Sequence, residues 1–134
     1  MNSIRGVIES VKISNNVALL KVANTENKAQ IFSVLMLDFD ERFKIGMSVN
    51  LLFKESEVMV CARECEKISA RNRFISTIQN IEFDEIFARI YFEFGKYTIT
   101  SLITKEASEY LGLEVGEEFA WFVKSNEVML EITK

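Results

Sequence analysis

Residues 115–130 read VGEEFAWFVKSNEVML, and residues 45–60 read IGMSVNLLFKESEVMV. Laid over one another, the two stretches match Gly46 to Gly116, Lys54 to Lys124, and Glu57, Val58 and Met59 to Glu127, Val128 and Met129, always 70 positions apart. The same offset carries Asn2 onto Asn72 and Ile8 onto Ile78. Self-similarity at a fixed spacing is the mark of a repeated structural unit. The chain therefore reads as two lobes, residues 1–64 and 69–134, joined through ECEKI (64–68), although the middles of the two halves match poorly.

Working outward, the second lobe carries the clearer strand signals. EIFARIYFEF (85–94) sets Ile86, Ala88, Ile90, Phe92 and Phe94 on one face at a period of two. Gly95-Lys96 then predicts a hairpin turn into YTITSLI, whose β-branched Thr98, Ile99, Thr100 and Ile103 suit a pleated surface. EFAWFVK and EVMLEIT predict a second hairpin around Ser125 and Asn126. TKEASEYLGL breaks the pattern: Thr104 stands at an N-cap position, Glu106 in a first turn and Gly112 at a stop, which predicts a helix of two turns at most. In the first lobe IRGVIESVKI reads as a strand with room for a bulge, NVALLKV and AQIFSVL as strands, and DFDERFKIG as the vestige of a short helix. The expected fold is mainly β: two tandem small OB-like barrels of about five strands, each with one short helix. A lobe of about 65 residues is marginal alone, so packing together and oligomerisation are expected.

Composition narrows the function. With 49% hydrophobic residues the chain can build a core without staples. A net charge of −4 argues against a general nucleic-acid binder, though a local cluster of donors can still hold a small anion. No apolar run reaches the ~18 residues of a membrane span, and MNSIRGVIES lacks the apolar core of a secretory signal, so a cytoplasmic protein is expected. Cys61 and Cys65 are spaced C-x3-C in a chain without His; a zinc site would need two further carboxylates or a second chain, and two free thiols are the simpler reading. Without His or a glycine-rich phosphate loop, no catalytic constellation stands out, and the reading is of a binder rather than an enzyme. Phe92, Phe94, Trp121 and Phe122 could form a base-stacking platform, but the acidic balance favours core or subunit interface.

A set of polar residues in the second lobe consists of donors, with Glu106 and Glu127 the main candidates for unwelcome negative charge in the same segments. Arg71 brings a planar fork suited to oxyanions, Ser69 a hydroxyl, and Ala70 a backbone N–H. Thr104 and the first helical turn add further donors, and Lys124 and Ser125 add a cation and a hydroxyl. Such a set fits a small tetrahedral dianion, which leaves water only when each oxygen is bonded again.

SARN at the opening of a strand, then ITKEASEYLGLEVGEE, then FVKSNEVMLEI, together resemble the Mop domain, the molybdate-binding branch of the TOBE family. The resemblance covers nearly all of residues 69–134, and the first lobe looks like a divergent copy, so the whole chain resembles a two-lobed molbindin. It implies OB-like lobes assembled into a homo-oligomer, a dimer or a trimer. It implies molybdate or tungstate held between lobes or subunits for storage or homeostasis, with no reaction, no nucleic acid and no membrane involved. By motif position the oxyanion-binding residues would be Ser69, Ala70, Arg71, Thr104, Ala107, Lys124 and Ser125. An alternative role is an oxyanion-sensing module acting on a regulator or transporter, without its own DNA-binding domain.

Two departures bear on that expectation. Family members often carry Ser where this chain has Ala107, with Ser108 following instead. The first lobe lacks the SAR before Asn2 and the IT…LGL segment, and its Lys54 is followed by the anionic Glu55. It is expected to contribute packing, and a wall, but not a full site.

Overall fold

The computed structural model describes residues 1–133. The first repeat forms β1 (Asn2–Ser14), β2 (Val17–Asn24), β3 (Asn27–Met36), β4 (Ser48–Phe53) and β5 (Met59–Cys61). The second forms β6 (Asn72–Phe83), β7 (Phe87–Phe94), β8 (Tyr97–Thr104), α1 (Lys105–Leu111), β9 (Glu118–Val123) and β10 (Met129–Ile132). The chain is mainly β, in two curled, OB-like lobes.

The offset of 70 reappears as geometry. β1 bulges between Ile8 and Ser10, and β6 bulges between Ile78 and Asn80. At each bulge the Ile exchanges hydrogen bonds with the start of a later strand. Ile8 N donates to Met47 O at 3.0 Å and Gly46 N to Ile8 O at 2.8 Å; Ile78 N donates to Glu117 O at 2.9 Å and Gly116 N to Ile78 O at 2.8 Å. Gly46 and Gly116 hold φ of 90° and 91°, a region closed to most side chains, which accounts for glycine at both positions.

The poor match between the repeat middles also has a structural cause. Nine residues lie between the facing pair Val22 and Phe32, against six between Phe92 and Ile99, so the first repeat's hairpin is three residues longer. Ser33 thereby stands where Thr100 does, and Leu37 where Thr104 does. Nine positions then separate Leu37 from Gly46, where twelve separate Thr104 from Gly116. The shortfall falls on the helix. The short helix expected in the first repeat is therefore absent: residues 37–46 form turns, with no Thr to cap a helix, and Asp40 Oδ1 accepts the Arg42 N–H at 3.0 Å in a local turn instead.

In the second repeat α1 forms as its caps dictate. Thr104 Oγ1 accepts the Ala107 N–H, and Gly112 closes the helix in the left-handed region at φ 67°. Ala88, Ile90, Phe92 and Phe94 are buried along β7 as the alternation predicts; Ile86 is not, lying outside the strand and 67% exposed.

The expected hairpin around Ser125 and Asn126 does not form. β10 pairs antiparallel with β4 of the first repeat, and β5 pairs antiparallel with β9 of the second. The sheets run β10-β4-β1-β2-β3 and β5-β9-β6-β7-β8, so each repeat lends its last strand to the other. The reason lies in the link. Ser125–Glu127 and Glu55–Glu57 are 3-10 turns flanked by extended residues at negative φ, whereas a tight hairpin needs positive φ at its tip. The chain is carried across to the other lobe rather than back on itself.

The lobes are further clamped by two asparagines. Asn2 Nδ2 donates to Thr100 O at 2.9 Å and its Oδ1 accepts Thr100 N at 2.8 Å. Asn72 makes the same pair with Ser33, at 2.9 and 2.6 Å. Between the clamps, Phe32 and Phe53 of the first repeat meet Phe74, Phe94 and Trp121 of the second, with Phe53 and Trp121 stacked at 5.9 Å. Phe92, Phe94 and Trp121 are thus core, not a platform. Among residues 1–133, no helix is long and apolar enough to cross a membrane.

A backbone approach in β1 yields a first prediction. A Cβ on Gly6 would lie 2.7 Å from Val22 Cγ1 and 2.9 Å from the Ala23 carbonyl oxygen. The carbonyl belongs to the β1–β2 ladder and cannot step aside. Gly6→Ala is expected to cost about 1–3 kcal/mol, read as a lower urea midpoint at unchanged slope.

Candidate functional site

The last pair of the β6–β9 ladder is Asn72 with Val123. One step further, the register sets Arg71 opposite Lys124, both exposed. Neither has an ion-pair partner among residues 1–133. Exposed Ser69 and buried Ala70 lead into β6 on one side, and half-buried Ser125 opens the 3-10 turn on the other. That turn packs on β3, to which Asn72 is also clamped. Five of the seven expected residues thus gather at one end of a ladder, against the first repeat.

Thr104 and Ala107 lie elsewhere in the chain. Thr104 ends β8 and Ala107 lies in α1 just after it, and β8 packs on the other 3-10 turn, Glu55–Glu57. The Ala107 N–H is spent on the Thr104 cap at 3.0 Å, and Ser108 is buried, so its hydroxyl does not replace the one missing at Ala107. The open hollow here, about 540 Å³, is lined by Thr104, Glu106, Ala107, Glu109 and Tyr110. Its two carboxylates oppose an anion, so this group does not make a dianion site unaided.

The first repeat's counterpart of the Arg71–Lys124 end is differently furnished. The β1–β4 register sets Met1 opposite Lys54, and Glu55 stands where the second repeat has Ser125. Glu55 Oε1 accepts from Arg89 Nε of β7 at 3.1 Å, and the Met1 ammonium lies 3.4 Å from Oε2. The Glu55 charge pushes the Arg89 guanidinium further up from its ordinary value. Lys54, Glu55, Ser56, Arg89 and Leu102, with Met1, line an open hollow of about 290 Å³. The sequence flagged Glu55 but not Arg89; the available signal was a charged residue set within the alternating IFARIYF.

Cys61 and Cys65 are free thiols beside the junction. Cys65 O receives Arg73 Nε at 2.6 Å and Cys61 Sγ at 3.7 Å. Burial first, then the neighbouring Cys65, pushes the Cys61 thiol from 9.0 up to about 11. The folded state therefore keeps its proton where the unfolded chain loses it. The resulting stabilisation is present below pH 9 and lost as pH rises toward 11. Iodoacetamide labelling of Cys61, followed by mass spectrometry, is expected to be slow at pH 8 and to accelerate through that window.

Residues 68–130 match the family model of the TOBE domain. A search of curated proteins gives no significant match. Among solved structures, the fold is similar to that of the cytoplasmic molybdate-binding protein ModG, in a form with molybdate bound. The TM-score is 0.90 at 22% identity, over 98% of this chain and 96% of that one.

Proposed function

Taking residues 68–130 as a TOBE domain, we propose that this protein binds molybdate or tungstate in the cytoplasm, as a store that buffers the free oxyanion. The observation that carries the reading is the pairing of Arg71 and Lys124 across a ladder end, without a carboxylate between them and with Ser69 and Ser125 alongside. Two like charges placed together repel, and a tetrahedral dianion between them turns that repulsion into attraction. Arg71 supplies a bidentate contact, Lys124 a point charge, and the serines and the Ala70 N–H neutral donors. The molybdate-bound state of the structurally similar protein, and its description as cytoplasmic, support the same reading.

The site spans copies of the chain. Thr104 and Ala107 are kept apart from the Arg71 cluster within one molecule, so a second copy brings its Thr104 segment to the cluster in a dimer or trimer. The role is binding and release, with no bond made or broken in the ligand.

The test is calorimetry with molybdate, tungstate and sulfate, with sedimentation run in parallel. Saturable heat from molybdate and tungstate, little from sulfate, and an oligomer in the centrifuge are expected. No heat from either metal oxyanion would overturn the reading.

A further inference from the structure

We propose that a second oxyanion pocket lies where the Lys54 end of the first repeat meets β7 and β8 of the second, and that the protein's own carboxylate holds it: Glu55 occupies the place of the ligand. The inference rests on the oxyanion-binding reading above. It starts from the repeat itself. The Lys54 end of the β1–β4 ladder is the counterpart of the Lys124 end of β6–β9, and the 3-10 turn that follows has the same length and the same flanking geometry in both. What differs is chemistry at two positions. At the offset of 70, Glu55 corresponds to Ser125 and Arg89 to Leu19. The two changes answer each other, since Glu55 Oε1 and Arg89 Nε are 3.1 Å apart.

The hollow around them has the contents of an anion site. Lys54 and Arg89 are its side-chain cations, Ser56 brings a hydroxyl, Leu102 gives an apolar wall, and its volume of about 290 Å³ exceeds the needs of one tetrahedral oxyanion. Glu55 is the hollow's one carboxylate; it pairs with Arg89 and with the Met1 ammonium, and lines the hollow beside Lys54. A tethered carboxylate has an effective concentration that free ligand does not reach at ordinary levels, so it excludes an external anion. Removing it leaves Arg89 and the Met1 ammonium without their counter-charge, with Lys54 alongside. Arg89 also faces Asp84 and Glu82 of the adjoining hollow, and these are the groups that would compete for it.

The experiment compares six forms of the full chain by equilibrium dialysis against molybdate, with bound molybdenum counted per chain: wild type, Glu55→Ser, Arg71→Ala, Arg71→Ala/Glu55→Ser, Glu55→Ser/Arg89→Leu and Glu55→Gln. Glu55→Ser is expected to take up an additional equivalent per chain over wild type. That excess is expected to persist in the double variant and to vanish in Glu55→Ser/Arg89→Leu. Glu55→Gln, which keeps the side chain's size, separates loss of charge from loss of bulk, and thermal melts establish that each variant is folded. An uptake by folded Glu55→Ser equal to that of wild type overturns the proposal, because Arg89 has then been claimed by Asp84 or Glu82. An excess that disappears with Arg71 overturns it as well. Failure of wild type to bind would instead fall on the Arg71 site, and the Glu55→Ser uptake would still decide the second pocket.

Discussion

Arg71→Ala is expected to remove high-affinity molybdate binding while leaving the fold as stable as before. Arg71 lies just beyond the last pair of the β6–β9 ladder, exposed and without an ion-pair partner among residues 1–133, so the folded protein owes it little. In the complex it is the one planar fork at the cluster. Losing a bidentate charged contact costs about 2–5 kcal/mol, or roughly 30-fold to several-thousand-fold in Kd. Arg71→Lys keeps the charge but not the fork and is expected to fall between. Lys54→Ala, at the end where Glu55 lines the hollow, is expected to change Kd by less than about threefold. Titration calorimetry on the three variants, with melting temperatures alongside, checks all of this; equal losses from Arg71→Ala and Lys54→Ala would show that the two ends are not different in kind.

Trp121→Ala carries the largest expected effect on stability. Trp121 is fully buried, stacks on Phe53 of the other repeat, meets Phe74 and Phe94, and donates its indole N–H to Ser76 Oγ at 3.0 Å. Its removal opens a cavity where the lobes join and strands the Ser76 hydroxyl. The cost is about 3–5 kcal/mol, a fall in Tm on the order of 10–20 °C. Because β9 is flanked by β5 of the first repeat and by β6 of the second, the loss is expected to be shared. Calorimetry should show one transition moving down. Two separated transitions would mean that the lobes unfold independently.

Much of this architecture was legible in the residues. The bulge at Ile8, the turn at Gly95, the cap at Thr104 and the stop at Gly112 each follow from local chemistry that one stretch of sequence carries. The destination of β10 is not local. EVMLEIT alternates equally well whether it pairs with β9 or with β4, and only the 3-10 turn at Ser125–Glu127 decides between them. The missing helix of the first repeat was hidden for a similar reason. An insertion in one hairpin and a matching shortfall further on cancel, so the offset of 70 survives at both ends and conceals the change between. As for the candidate site, residue type singled out Arg71, Lys124 and their neighbours as candidates, and the fold gathers these at one ladder end. Residue type could not reveal that Thr104 and Ala107 belong to the end of β8 that packs on the other 3-10 turn, because that placement arises from how the lobes interlock. Glu55 looked like a local defect until its partner Arg89, from the other lobe, came within 3.1 Å.

The exchange of end strands bears on the joining of the two repeats in one chain. A single repeat standing alone would leave its sheet one strand short and would need a twin to lend it; joined in one chain, the two halves keep that loan at no cost in concentration, and neither has to match the other residue for residue.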